Sequence, residues 1–173
     1  FFTDINPFQQ GSFLHTICFL CKIRVSCIEM NCTLEQEQNQ MKKIEHIAFA
    51  VSSLKDSIPL FEKLLGTPCY KTEQVESEKV NTAFFMSGES KVELLEGTAP
   101  DSVISTYISK KGQGMHHVAF LVDDIKEEME RLQSEGFQFI NETPKKGADN
   151  KLICFLHPKS TGGVLVELCQ EIK

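Results

Sequence analysis

Two histidines and two glutamates stand at matched places in two similar stretches of this 173-residue chain. His46-Ile47-Ala48-Phe49-Ala50-Val51 recurs later as His117-Val118-Ala119-Phe120-Leu121-Val122, and Val92-Glu93-Leu94 recurs as Val166-Glu167-Leu168. Imidazole nitrogens and carboxylate oxygens suit a borderline-to-hard divalent ion such as Co²⁺ or Mn²⁺, and a pair of each leaves coordination positions open. The duplication suggests one cation gripped by two copies of a module. Taken singly, each residue has a duller reading: a strand glutamate can face solvent, and a lone strand histidine is more often a satisfied core residue than a ligand. Four residues kept in the same register in both halves favour the shared-ion reading, because independent accidents would not repeat the spacing.

The elements that must position them repeat as well. Ile44 to Val51 is rich in β-formers, and Ser53 to Gly66 switches to helical spacing, with Leu54, Ile58, Phe61, Leu64 and Leu65 on one side and Gly66 at the stop. Strand patterns follow at Cys69 to Val75, Val80 to Met86 and Lys91 to Leu95. The second half predicts a strand at His117 to Val122, a helix opened by Asp123-Asp124 and closed by Gly136, and strands at Phe137 to Asn141, Lys151 to Leu156 and Val164 to Cys169. Each half is βαβββ, an α+β arrangement: residues 41–96 form one module, 116–173 the other, and 97–115 a connecting helix and linker. Alternation puts His46 on one face with Ala48 and Ala50, whose small side chains leave room beside an imidazole, while Ile47, Phe49 and Val51 face the helix. Glu93 and Glu167 each sit between apolar neighbours, where an unpaired carboxylate costs several kcal/mol to bury. Something must compensate them.

Composition narrows the classes of function. With 41% hydrophobic and 24% charged residues the chain suits a folded domain, and a net charge of −6 argues against a broad nucleic-acid footprint. No apolar run approaches the ~20 residues needed to cross a bilayer. Residues 1–40 read as a non-native or disordered leader: they carry four of the seven cysteines and end in a polar run before Met41, a plausible natural start. Cys18, Cys21, Cys27 and Cys32 are spaced too closely between pairs for the usual zinc knuckle. The three remaining cysteines are scattered, which suits a reducing cytoplasm.

Four segments carry a resemblance: Ile44-Glu45-His46-Ile47-Ala48, Lys91-Val92-Glu93-Leu94-Leu95, Gly114-Met115-His116-His117-Val118, and the long run from Phe155 through His157-Pro158-Lys159-Ser160-Thr161-Gly162-Gly163 to Leu168. From about Met41 to Lys173 the chain resembles the vicinal oxygen chelate superfamily and, within it, the methylmalonyl-CoA epimerase family. The resemblance implies two tandem βαβββ modules forming a cup-shaped mixed sheet with helices outside. It implies one divalent metal per chain, Co²⁺ first and Mn²⁺, Ni²⁺, Mg²⁺ or Zn²⁺ as alternatives, on His46, Glu93, His117 and Glu167. The implied activity is epimerisation of a coenzyme A thioester at the carbon between thioester and carboxylate, through a metal-stabilised enolate. Glu167 is the expected proton-transfer residue. Its partner is open, because Thr82 stands where some relatives have glutamate; Glu76 is the first choice, with Glu78, Glu93 or a metal-bound water as substitutes. His116, by strand parity, points away from the metal, and His157, before Pro158 in a turn, is expected in a structural or substrate-edge role rather than as a metal ligand. Lys145, Lys146 and Lys159 are expected to meet the coenzyme A phosphates, and Lys151 lies near the same loops. Open sheet edges and the resemblance together imply a homodimer. Two other readings stand beside the epimerase: a glyoxalase I-type lactoylglutathione lyase, and a non-catalytic small-molecule binding protein of the same fold.

Overall fold

Eight strands form one curled mixed sheet in a computed structural model that describes residues 41–173. The leader and the Cys18, Cys21, Cys27, Cys32 pattern fall in residues 1–40, outside the described residues. The elements run β1 (Lys43–Ala50), α1 (Leu54–Leu65), β2 (Lys71–Val75), β3 (Val80–Ser87), β4 (Ser90–Gly97), α2 (Val103–Lys111), β5 (Gly114–Leu121), α3 (Ile125–Ser134), β6 (Lys145–Lys146), β7 (Lys151–Leu156) and β8 (Val166–Glu171). Strand order is β2-β3-β4-β1-β5-β8-β7-β6. It reads alike from either end: β1 pairs with β4 and β5 with β8 in parallel, while β1 and β5 meet antiparallel at the centre. The α+β class is the one expected from the duplicated pattern, and the cup is the one the resemblance implied.

Local chemistry explains the boundaries. Ser53 caps α1 by accepting from the Asp56 N–H at 3.3 Å, and Gly66 ends it in the left-handed region at φ 69°. Asp124 caps α3 through the Lys126 and Glu127 N–H groups. Phe49, Val51, Val92 and Leu94 pack under α1 with Phe61 and Phe85, and Val166 and Leu168 pack under α3 with Met129 and Leu132. Helices α1 and α3 therefore cover one sheet face, while α2 packs on the other against Ala48, Ala50 and Leu95, with Ile104 in the wall of the concave cavity.

The expected strand at Phe137 to Asn141 is corrected. The segment runs beside β7 and makes one isolated bridge, Phe139 to Leu156. The Asn141 side chain accepts the Phe155 N–H at 3.3 Å, where a ladder would use a backbone carbonyl, so regular pairing stops. The sixth strand is instead the two-residue β6.

Candidate metal centre

Two breaks in register on the central strand pair aim the site. Ile44 pairs with Phe120 and His46 with Ala119, so Glu45 is an extra residue on β1; Ala48 pairs with His117 and Phe49 with Met115, so His116 is an extra residue on β5. Such bulges turn neighbouring side chains to one face. Glu45, His46, His116 and His117 all line the same concave cavity as a result. The outer positions are built just as symmetrically: Glu93 lies between Ala48 and Phe84 in neighbouring strands, and Glu167 between Ala119 and Phe155. Ala48 and Ala119 are fully buried, and their small side chains admit the carboxylates beside the imidazoles.

The four repeated residues meet. His46 Nε2 lies 3.1 Å from His117 Nε2; Glu93 Oε2 is 3.3 Å from the first nitrogen and 3.9 Å from the second, and Glu167 Oε2 is 3.2 Å from His117 Nε2. All four residues are at most 6% exposed. His46, His117 and Glu167 form the tightest group, with donor atoms within 4.8 Å of one another. Glu93 stands on the His46 side, within 4 Å of both imidazole nitrogens.

The charges fit a cation at the point of convergence. Burial and the Glu167 charge hold the Glu93 carboxyl above its ordinary range against the pull of both imidazoles. Burial also works against a charged His46, but Glu93, Glu45 and Glu167 outweigh it and push that imidazole up to about 9. Two buried carboxylates facing two nitrogen lone pairs need positive charge between them. A proton on His46 supplies one unit; a divalent ion satisfies all four donors together.

The supporting partners are less evident from sequence. His46 Nδ1–H donates to Glu45 Oε2 at 2.5 Å, and Glu45 Oε1 accepts from Lys91 at 2.6 Å and lies 3.4 Å from Lys151 Nζ. Burial disfavours the Glu45 charge, yet His46 and Lys91 bring its carboxyl down to about 2. His116 corrects the strand-parity expectation: its Nδ1 lies 2.9 Å from His117 Nδ1, because the bulge turns it inward. Burial and the neighbouring His117 push His116 down to about 4, so it is neutral and accepts the His117 Nδ1–H. Lys91 also reaches Asp149 at 2.6 Å, which continues to Lys71 at 2.9 Å.

Other expected site residues separate. Glu76 is exposed and absent from the cavity lining, whereas Glu78, in the same turn, lines it and accepts from Lys145 at 2.5 Å. The turn at 76–78 is a single 3-10 turn, so side chains two positions apart diverge. Thr82 is buried and its hydroxyl donates to the Glu73 carbonyl. Lys145 and Lys151 line the cavity, while Lys146 and Lys159 are exposed outside it. His157 accepts from the Lys159 N–H at 3.1 Å and caps the 158–160 turn, the structural one of the two roles expected of it. The cavity encloses about 230 Å³, and much of its remaining wall is apolar, including Val80, Leu95, Ile104, Ile153 and Leu165, with Asn141 and Asp149 among the polar lining.

A duplicated βαβββ cup with a buried His₂Glu₂ cluster on its concave face defines the class, and the chain belongs to the Glyoxalase/Bleomycin resistance protein/Dioxygenase superfamily, whose family model matches residues 45–155. It is 43% identical over 130 residues to the uncharacterised protein YqjC of Bacillus subtilis, covering 75% of this chain and 93% of that one. Its likeness to mitochondrial methylmalonyl-CoA epimerase of Homo sapiens is 35% over 129 residues, covering 74% and 73% of the two chains. The crystal structure of methylmalonyl-CoA epimerase from Mycobacterium tuberculosis superposes with a TM-score of 0.75 at 28% identity, covering 79% of this chain and 92% of that one. These relatives put the chain among the methylmalonyl-CoA epimerase homologues, a family of isomerases.

Proposed function

We propose that this chain interconverts the two configurations of methylmalonyl-CoA at the carbon between thioester and carboxylate. The observation that carries the reading is the meeting of Glu167 with His46, His117 and Glu93 at one buried point of the cavity. Methylmalonyl-CoA epimerases among the relatives, including the human protein, support the coenzyme A thioester as substrate. One divalent ion per chain, Co²⁺ first, would be held by His46, Glu93, His117 and Glu167 and would supply Lewis-acid polarisation of substrate oxygens.

The chain's own groups then have separable tasks. Glu167 takes the proton from the substrate carbon; the electron pair left behind delocalises toward the thioester carbonyl, and the carbon becomes planar. Inversion needs a proton delivered to the opposite face. Glu78 is the loop carboxylate that reaches the lining, and it takes the place of Glu76 in this role. It is paired with Lys145 at 2.5 Å in the resting cavity. The apolar wall excludes water from the planar carbon, and Lys145, with Lys146 and Lys159 outside the cavity, offers cations to the coenzyme A phosphates. A homodimer, a cytoplasmic setting and a start of the domain near Met41 complete the proposal.

Incubation with methylmalonyl-CoA and Co²⁺ in D₂O tests it: deuterium enters at the reacting carbon and both configurations appear. Absence of exchange with any of Co²⁺, Mn²⁺, Ni²⁺, Mg²⁺ or Zn²⁺ would overturn the epimerase reading. A second reading, the glyoxalase I-type lyase, draws on one observation: neutral Thr82 occupies the wall position where a second base could stand, which suits proton transfer by a single carboxylate. Consumption of methylglyoxal hemithioacetal in place of deuterium exchange would select it.

A further inference from the structure

The two imidazoles at the centre are held in corresponding places by different chemistry. Glu45 and His116 are each the extra residue of a bulge, each directly precedes a central histidine, and each presents a polar atom to that histidine's Nδ1. One is a carboxylate and the other a neutral ring. Glu45 is 4% exposed and is gripped from both halves of the sheet, by Lys91 of β4 and Lys151 of β7. His116 packs edge-on against the Tyr107 ring at 4.8 Å and against the His117 ring at 5.2 Å between centroids. A buried carboxylate is costly unless compensated, and here two lysines and an imidazole N–H compensate it while it makes no contact with the convergence point itself.

We infer that Glu45 is a positioning residue: it fixes His46 with its Nε2 lone pair toward the centre and makes it the stronger of the two nitrogen donors, while His116 orients His117 by a weaker version of the same contact. A carboxylate accepting the Nδ1–H keeps the proton on that nitrogen and raises the basicity of the other, an effect general to metal-bound imidazoles. A neutral imidazole acceptor gives the same orientation with less added basicity. Lys91 and Lys151 prevent Glu45 from turning aside, so the ring plane of His46 is set by three elements, β1, β4 and β7. The inference rests on the metal reading of the four-residue centre.

Titration of the purified chain with Co²⁺, followed by visible absorption and calorimetry, tests it together with E45Q, E45A and H116A. Expected losses of Co²⁺ affinity are about tenfold for E45Q and up to roughly 100-fold for E45A, with a smaller loss for H116A and a shift of the cobalt bands in E45Q. E45Q removes the carboxylate charge 3.4 Å from Lys151, which keeps Glu171 at 3.5 Å, so the E45Q/K151M pair, which removes both charges, is measured alongside with circular dichroism to confirm folding; the same loss is expected. Wild type that binds Co²⁺ while E45Q and E45A bind it within twofold and with unchanged bands overturns the inference and leaves the metal centre standing. Wild type that binds no Co²⁺ removes both. A larger loss in H116A than in E45A overturns the ranking of the two donors.

Discussion

In the proposed mechanism Glu167 carries two duties in one carboxylate, and Thr82 carries none of the chemistry. Replacing Glu167 by Gln is expected to cut deuterium exchange at the substrate carbon by roughly 10²- to 10⁴-fold, the usual contribution of a positioned proton-transfer group. Glu76→Gln should leave exchange unchanged, and Glu78→Gln should slow it; equal rates for both would remove Glu78 from the mechanism. Thr82→Val should cost only about 1 kcal/mol of stability, measured by urea unfolding, because it deletes one hydrogen bond to the Glu73 carbonyl. The four central residues were legible because repetition and strand alternation both pointed at them. Glu45 and His116 were not: a period of two predicts that they face away from His46 and His117, and only a one-residue bulge reverses that. No local residue type announces such a bulge, since neither position is glycine.

At the scale of elements, the turn between β6 and β7 straps the two modules together across the cavity mouth. Asp149 bonds Lys71 and Lys91, its N–H donates to Glu73 at 3.1 Å, and both it and Asn150 lie in the left-handed region at φ 52° and 56°. Such backbone costs of order 1 kcal/mol or more per residue and persists only where contacts overdetermine it. Burial disfavours the Asp149 charge, but hydrogen bonds from Lys91 and then Lys71 hold the carboxyl below its ordinary value of 3.8. Its contribution is therefore whole above that pH and is lost as the pH falls below it. Protection factors at residues 147–150, exchange rates taken relative to the intrinsic rate at each pH, should fall on acidification, and Asp149→Asn should show the lower protection already at neutral pH. Gly147 is required for space: a Cβ there would stand 2.8 Å from Ile153, so Gly147→Ala should displace the strap and weaken substrate binding. Helices and most strands could be read from periodicity and caps. The strap could not, because its hold is two ion pairs and a backbone-to-carboxylate hydrogen bond between residues 58 to 78 positions apart.

For the molecule as a whole, the buried acidic centre makes stability depend on what fills it. A divalent ion at 100 times its dissociation constant should add about 2.7 kcal/mol, visible as a rise of several degrees in thermal midpoint that chelation reverses. The same chelation should abolish deuterium exchange. No helix among the described residues is long and apolar enough to cross a membrane. The free sheet edges are β2, with lysine and glutamate, and β6, with two lysines, and such short charged edges resist pairing; a homodimer, checked by light scattering, would use another face. The antiparallel contact of β1 and β5 has a consequence for ancestry. Each half supplies one imidazole and one carboxylate, so a primordial half-length polypeptide could have assembled the centre only by associating with its own twin. Once fused, the copies were free to drift apart, and the unlike neighbours of His46 and His117 record that divergence.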